Sequence, residues 1–143
     1  MSPIDWAKRP LQKYADFTGR APRAEYWWFY LAMVVMVIVT MIIDGMIGSN
    51  LGGSGYGFVT LLAGLAVLVP GIAVGVRRLH DTDRSGWWLL IAFIPLIGGI
   101  ILLVFYVSEG TKSDNRFGSD PYAGWRLTTG NRRWGIAPPP GLR

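Results

Sequence analysis

Three long stretches of the sequence contain no charged residue and no histidine. They cover residues 26–43, 45–76 and 85–108. An α-helix needs about 20 apolar residues to cross the hydrocarbon core of a bilayer, and each stretch approaches or exceeds that length. A soluble domain of 143 residues has too little interior to bury three such helices. The pattern therefore predicts an all-α membrane protein with three hydrophobic helical segments.

The residues around these stretches set the boundaries of the predicted spans, which are residues 26–47, 56–76 and 87–107. Span 1 opens with the aromatic cluster 26–30, a composition typical of the boundary between lipid headgroups and hydrocarbon. The Gly-rich turn 48–55 separates spans 1 and 2. Because this turn is short, spans 1 and 2 are predicted to form an antiparallel hairpin.

Span 2 carries three glycines that share one helical face, Gly64, Gly71 and Gly75. Small residues at such spacing let a neighbouring helix approach closely inside a membrane. We therefore predict a helix-packing face there, available to a partner membrane protein or to self-association. Pro70 in the same span predicts a kink in the helix.

The third segment contains several helix breakers in its middle, where Pro95 is followed by Gly98 and Gly99. We favour a kinked full crossing, which would place the polar tail outside the cell. The alternative is a re-entrant hairpin, broken at Pro95–Gly99, which returns the tail to the cytoplasm. That alternative requires protein cover, because non-helical backbone is not tolerated in contact with lipid.

The membrane domain, residues 26–107, is flanked by two polar ends. Residues 1–25 form a cytoplasmic or interfacial arm, in which Leu11, Tyr14 and Phe17 recur every three residues. This spacing favours a short helix that rests on the membrane surface, and a poorly ordered arm is the alternative. Residues 108–143 form a polar tail, and its Pro-rich last part is predicted to be disordered.

Charge is sparse and asymmetric. Only 16% of the residues are charged, against about a quarter in ordinary soluble domains. The net charge is +5, but the basic residues flank the apolar segments, so we predict no nucleic-acid partner. The arm has five Lys or Arg and the loop after span 2 has three, while the turn after span 1 has none. The positive-inside rule then predicts a cytoplasmic N-terminus in a multi-pass protein.

Composition also limits the chemistry that the chain can carry. It has no cysteine and a single histidine, which argues against a disulfide framework and an ordinary zinc site. No phosphate-cradling glycine loop with a Lys-Ser/Thr ending occurs. We therefore predict neither a metal nor a cofactor.

Three polar motifs interrupt the apolar pattern, at residues 18–27, 77–88 and 109–121. The first contains Thr-Gly-Arg-Ala-Pro-Arg-Ala-Glu-Tyr-Trp, and the second runs from Arg-Arg-Leu-His-Asp to Ser-Gly-Trp-Trp. The third contains Asn-Arg-Phe-Gly-Ser-Asp-Pro. In order and spacing, these motifs resemble the domain of unknown function 805 family, a group of YhaH/YhaI-like bacterial inner-membrane proteins. The resemblance covers roughly residues 14–122 and implies a multi-span protein of the bacterial inner (plasma) membrane without an assigned activity.

The motifs supply the candidate site. Guanidinium groups make planar, bidentate contacts with phosphate or carboxylate, so arginines gathered on the cytoplasmic face could bind an anion. The alternative, which we favour, is that they hold the topology and pair with nearby acidic side chains. The candidate ligand- or anion-binding residues are Arg20, Arg23, Glu25, Arg77, Arg78, His80, Asp81, Arg84, Asn115, Arg116 and Asp120. The third motif can join the other two only if the tail is cytoplasmic.

Two further residues have competing interpretations. His80 next to Asp81 could relay protons, although a satisfied interfacial histidine is favoured because neighbours on a helix point about 100° apart. Asp44 lies inside span 1, where a carboxylate is functional by default. Its place near the end of the span favours a polar residue that reaches water, unless neighbouring spans cover it. Ser85 with His80 and Asp81 does not amount to a hydrolytic triad, since no nucleophile turn or oxyanion loop accompanies it.

The preferred functional hypothesis is a binding or adaptor module that engages anionic lipid headgroups or a partner membrane protein through its arginine-rich cytoplasmic face. The alternative is a small oligomeric transporter or channel that uses Asp44 and His80, since interrupted helices line ion sites in transporters. A lipid-phosphate enzyme, with His80 or Asp120 as acid or base, is the weakest hypothesis.

Overall fold

The computed structural model describes residues 2–53 and 56–124. In this part of the chain the regular structure is helical, with no strand beyond the isolated bridge between Asn115 and Gly118. The elements are α1 (Pro3–Gln12), α2 (Arg23–Met46), α3 (Phe58–Asp81), a 3-10 helix (Gly86–Phe93) and α4 (Ile97–Val107). The all-α prediction is confirmed for the described residues. The disorder predicted for the end of the tail falls outside them.

The chain divides into two compact units. The hairpin unit consists of Met1–Phe17 and Arg23–Val76, and the motif unit consists of Thr18–Pro22 and Arg77–Arg143. The hairpin unit therefore holds α1, α2 and most of α3. The motif unit holds the last turn of α3, the 3-10 helix, α4 and the larger part of the three polar motifs.

A capping box fixes the start of α1. The Ser2 hydroxyl accepts a hydrogen bond from the Asp5 N–H at 3.2 Å, and the Asp5 carboxylate accepts bonds from the Ser2 N–H and hydroxyl. These bonds hold the pKa of Asp5 below its ordinary value. The helix ends at Gln12, so Tyr14 and Phe17 lie beyond it and the predicted helical face is shorter than expected. Tyr14 instead donates a hydrogen bond from its hydroxyl to the carbonyl of Ala66.

The helices α2 and α3 are each 24 residues long, which at 1.5 Å per residue exceeds the thickness of the hydrocarbon core. In the most apolar stretch of α2 only 11% of the stretch is buried inside the protein, and in that of α3 only 28%. The core helix of a soluble protein would be mostly buried. Both helices are therefore long and apolar enough to cross a membrane. The prediction ended span 2 at Val76, but α3 continues to Asp81 and includes both arginines of the second motif.

Contacts between α2 and α3 show that the two helices are antiparallel. Asp44 near the end of α2 bonds Thr60 near the start of α3, while Met33 faces Gly71 farther along. This register is that of the predicted antiparallel hairpin. Gly75 is buried, but Gly64 has open space around it and borders an apolar groove of about 450 Å³. The helix-packing face remains a prediction.

The third apolar segment folds back on itself. The 3-10 helix ends at Phe93, and α4 begins after Leu96, whose φ of 63° turns the chain. The two legs pack together, and the rings of Trp88 and Phe105 meet edge to face at 5.5 Å. The predicted break is confirmed, whereas the kinked full crossing that we favoured is not. The proline and the left-handed residue stop the helix, and contacts between the two legs hold the fold-back.

Candidate functional site

A buried carboxylate lies at the centre of the motif unit. Asp81, the last residue of α3, is only 2% exposed. One of its oxygens lies 3.0 Å from Nε of Arg20, and the other accepts a bond from Nη1 of Arg78. Two guanidinium groups from different motifs therefore share one carboxylate, and both are as buried as their partner. Such a group makes charge-assisted bonds that strengthen in a low-dielectric interior.

Arg20 also ties the third motif to the first two. Its Nη1 donates to the carbonyl of Ser113 at 2.7 Å and approaches that of Gly118 at 3.4 Å, and its Nη2 donates to the carbonyl of Thr111. The chain direction around Arg20 is set by its neighbour Ala21, whose N–H bonds the carbonyl of Arg77 at 2.9 Å. One side chain thus spans all three motifs, which the structure brings together within the motif unit.

Arg78 holds the end of α4 in the same way. Its Nε donates to the carbonyl of Tyr106 at 3.2 Å, and its Nη2 donates to the carbonyl of Ser108. The adjoining Gly110 has no room for a side chain, because a Cβ there would lie 2.1 Å from an Asp81 oxygen. The Thr111 N–H then bonds the backbone carbonyl of Asp81 at 2.8 Å. The start of the tail is therefore fastened to the end of α3.

His80 contacts residues of the first and third motifs. Its Nδ1 lies 3.1 Å from the carbonyl of Gly19, and its ring stacks on Phe117 with centroids 3.9 Å apart. Asn115 donates from its side-chain amide to the His80 carbonyl at 2.9 Å. These contacts favour a satisfied histidine, the preferred interpretation of the sequence, and they also join His80 to the third motif.

The Arg20–Asp81–Arg78 network is suited to bracing the fold. Most of its guanidinium N–H groups face protein oxygens, and the charge of one carboxylate offsets part of the charge of two arginines. Among the described residues, no group of three or more acidic or histidine side chains could hold a metal ion. The network therefore favours structural pairing, the alternative that we preferred for the arginines.

Arg84 has a different environment from Arg20 and Arg78. It follows Asp83, whose φ of 57° turns the chain out of α3, and it precedes the 3-10 helix. Its guanidinium lies 4.0 Å from the centre of the Phe105 ring, and its Nη1 bonds the carbonyl of Thr82 at 3.3 Å. In the described part of the chain, no carboxylate pairs with it. The half-buried Arg84 guanidinium therefore makes a cation–π contact with Phe105 at the base of the folded-back segment.

Two exposed tryptophans follow Arg84 closely in the chain. Trp87 is 78% exposed and Trp88 is 46% exposed. Ser85 caps the 3-10 helix by accepting a bond from the Trp87 N–H. Cationic and indole side chains together are typical of the headgroup region of a membrane.

The remaining predicted site residues occupy separate places. Arg23 and Glu25 belong to the hairpin unit, where the buried Glu25 carboxylate lies 3.8 Å from Arg9. Arg116 pairs with Asp83 at 3.3 Å on the surface of the motif unit. Asp120 is buried in a local turn and accepts a bond from the Tyr122 N–H, and Arg77 is also buried. The nine predicted residues in the motif unit are Arg20, Arg77, Arg78, His80, Asp81, Arg84, Asn115, Arg116 and Asp120.

Sequence reasoning missed three contributors to this site. The Phe105 ring packs against the Arg84 guanidinium, and the Phe117 ring stacks on His80. Gly110 leaves room for the Asp81 carboxylate. Gly110 and Phe117 stand inside the third motif, so their presence there was an available signal. Nothing in the apolar pattern distinguishes Phe105 from other residues of α4.

Asp44 occupies a second polar site, in the hairpin unit. Its carboxylate is fully buried and accepts bonds from the N–H groups of Val59 at 3.0 Å and Thr60 at 2.8 Å, and from the Thr60 hydroxyl at 2.7 Å. These donors form the N-terminus of α3, where the free N–H groups and the helix dipole favour an anion. The favoured interpretation, in which Asp44 reaches water, is therefore wrong, because a neighbouring helix covers the carboxylate and its capping of that helix explains the burial. This arrangement gives no support to a pathway through Asp44.

Comparison with known proteins agrees with the motifs. The family described as a protein of unknown function (DUF805) matches residues 14–119. The inner membrane protein YhaH of Escherichia coli K12 is 46% identical over 118 residues, which cover 82% of this chain and 97% of the relative. The inner membrane protein YhaI of the same strain is 41% identical over 121 residues, which cover 85% and 98%. No solved structure gives a significant match. With the three motifs, the two long apolar helices and this coverage, the chain belongs to the DUF805 family.

Proposed function

We propose that this chain is a multi-pass inner-membrane protein whose motif unit binds anionic phospholipid headgroups at the cytoplasmic surface. The proposed site consists of Arg84, Trp87 and Trp88, at the base of the folded-back segment. The observation that carries the proposal is the difference between Arg84 and the two buried arginines. The guanidinium groups of Arg20 and Arg78 bond Asp81 and backbone carbonyls. The guanidinium of Arg84 packs on the Phe105 ring, and among the described residues it has no carboxylate partner.

The proposed topology has two crossings, α2 and α3. The excess of Lys and Arg in the arm and in the loop after α3 favours a cytoplasmic location for both. The contacts of Arg78 with Ser108 and of Thr111 with Asp81 fasten the tail to the end of α3, which favours the same side for the tail. The third segment then enters and leaves the membrane on the cytoplasmic side.

A phosphodiester suits this site chemically. The guanidinium group can make two parallel hydrogen bonds to phosphate oxygens, which a lysine ammonium cannot do in the same geometry. Indole rings prefer the headgroup level, where Trp87 and Trp88 would lie beside the phosphate. The anionic cytoplasmic leaflet concentrates such ligands next to basic residues.

Replacement of Arg84 by glutamine is expected to weaken retention of anionic lipid. A hydrogen bond to a charged group contributes about 1.5 kcal/mol or more, which corresponds to at least about a tenfold loss of affinity. Native mass spectrometry of the detergent-solubilised protein, titrated with phosphatidylglycerol and separately with phosphatidylethanolamine, measures this. The loss should be confined to phosphatidylglycerol, and Arg84→Lys should recover only part of it.

Lys112→Gln is the matched control. It removes the same charge from an exposed pair with Glu109, 3.0 Å away, so it should leave retention unchanged. Equal losses for both variants would indicate general electrostatic attraction and contradict the proposed site. Unchanged retention in Arg84→Gln, with the melting temperature also unchanged, would reject Arg84 as a ligand-binding residue.

A further inference from the structure

The folded-back segment has two legs of matching length. At 1.5 Å per residue, the 11 residues of α4 extend about 16 Å. At 2.0 Å per residue, the eight residues of the 3-10 helix also extend about 16 Å. Half of a hydrocarbon core of about 30 Å is about 15 Å. Each leg is thus long enough to cross one leaflet and too short to cross two.

The turn between the legs is apolar and exposed. Phe93 is 84% exposed and Leu96 is 85% exposed, and Ile97 beside them is 62% exposed. These are larger exposed fractions than a folded protein in water would tolerate in one contiguous tip. Hydrocarbon is the environment in which such a tip lowers its free energy.

The backbone at the tip is also compatible with hydrocarbon. Pro95 has no N–H, the Ile94 N–H bonds the carbonyl of Ile91, and the Gly98 N–H bonds the carbonyl of Ile94. The Ile97 N–H points to the carbonyl of Pro95 at 2.7 Å. Backbone groups in lipid must find partners within the protein, and these pairings supply them for the N–H groups of Ile94, Ile97 and Gly98.

The two legs hold each other closely at Gly98. A Cβ at this position would lie 1.7 Å from the carbonyl oxygen of Ile91, whereas a Cβ at Gly99 would meet no atom within 4 Å. Gly98 is therefore needed for the hairpin to close, and its neighbour is not. At the other end of the legs, Arg84, Trp87 and Trp88 provide the polar and aromatic base that sets the depth.

We infer that residues 86–107 form a single-leaflet wedge, whose docking partner is the acyl chains of the cytoplasmic leaflet. Its tip at Phe93 and Leu96 lies near the bilayer midplane, and its base lies at the headgroups. The wedge rests on the topology of the proposed function, but it does not require a bound anionic headgroup.

Depth and sidedness of single cysteines test the wedge, since the chain has no cysteine of its own. The protein is reconstituted in vesicles of pure phosphatidylcholine, so that anionic-lipid binding plays no part. Spin labels at Phe93→Cys and Leu96→Cys should be strongly accessible to oxygen and nearly inaccessible to a water-soluble nickel chelate. Ser85→Cys and Ser113→Cys should react with an impermeant thiol reagent from the same side, and Asn50→Cys in the turn after α2 from the opposite side.

Two outcomes would overturn the wedge. Reaction of Ser85→Cys and Ser113→Cys from opposite sides would establish a full crossing. A tip shielded from both oxygen and the nickel chelate would show that protein, not lipid, covers it. A full crossing would also overturn the proposed topology, whereas a protein-covered tip would not. Headgroup binding is measured separately by the Arg84 titration, so its failure and failure of the wedge are distinguishable.

The two neighbouring glycines provide a matched pair. Gly98→Ala, combined with Ser113→Cys, should split the legs and lower the fraction of molecules in which residue 113 is on the same side as residue 85. Gly99→Ala should leave that fraction unchanged, because its side chain would enter open space. Identical behaviour of the two variants would contradict the hairpin contact.

Discussion

Asp81→Asn is expected to lower the stability of the motif unit by about 3–5 kcal/mol, the usual cost of removing one partner from a buried ion pair. The amide is almost the same size as the carboxylate, but it cannot neutralise Arg20 and Arg78, both of which are buried beside it. Thermal unfolding of the detergent-solubilised protein, followed by tryptophan fluorescence, measures the loss. The transition should move to a markedly lower temperature.

Asp83→Asn is the control for this experiment. Asp83 is about half exposed and pairs with Arg116 on the surface, where ion pairs contribute little. Its φ of 57° is also well tolerated by asparagine, so the backbone is not disturbed. The control should unfold close to the wild-type temperature. Equal stability of Asp81→Asn and Asp83→Asn would show that the buried network does not brace the fold.

Gly57→Ala is expected to destabilise the hairpin unit by about 1–3 kcal/mol, as overpacking does in closely packed interiors. The new Cβ would lie 2.2 Å from Cγ of Asp44 and 2.2 Å from the carbonyl oxygen of Ser49. Relief of this overlap would move the carboxylate away from the N–H groups of Val59 and Thr60. The melting temperature in detergent measures the effect.

Gly45→Ala offers a neighbouring control for Gly57→Ala. Gly45 lies within α2 and has no atom near the position of a Cβ, so alanine there fits and favours the helix. This variant should melt at or above the wild-type temperature. A Gly57→Ala protein as stable as Gly45→Ala would contradict the close approach between Gly57 and Asp44.

The two long helices could be predicted from the sequence because uncharged runs of this length leave few alternatives. The position at which α3 ends could not be predicted in this way. Arg77 and Arg78 marked the point where the chain meets polar surroundings, but backbone hydrogen bonding continues to Asp81. The helix stops where Asp83 adopts a positive φ, a feature that charge does not reveal.

The course of the third segment depended on contacts between distant residues. Pro95 and Gly98 indicated a break, and the break is present. Whether the chain then continued across or returned was decided by pairs such as Trp88 with Phe105 and Arg78 with Ser108. Each pair joins residues far apart in sequence. None of the four residues is of a type that is unusual at the end of a membrane segment.

The candidate site was predictable as a group of motifs but not as a network. Glu25 and Asp81 were both acidic candidates in the sequence, and nothing in the sequence indicated that two buried arginines would share Asp81. Many partners of Arg20 are backbone carbonyls, which every residue carries, so no sequence pattern identifies them. The same holds for Asp44, whose partners include the N–H groups of Val59 and Thr60.

The contacts of Arg20 also impose an order on biosynthesis. Its carbonyl partners extend to Gly118, so they leave the ribosome after every apolar segment has been made. A nascent chain that ends at Val107 already carries Arg78 and Asp81, but it lacks Thr111 and Ser113. The polar network around Arg20 can therefore close only after all three apolar segments have been synthesised.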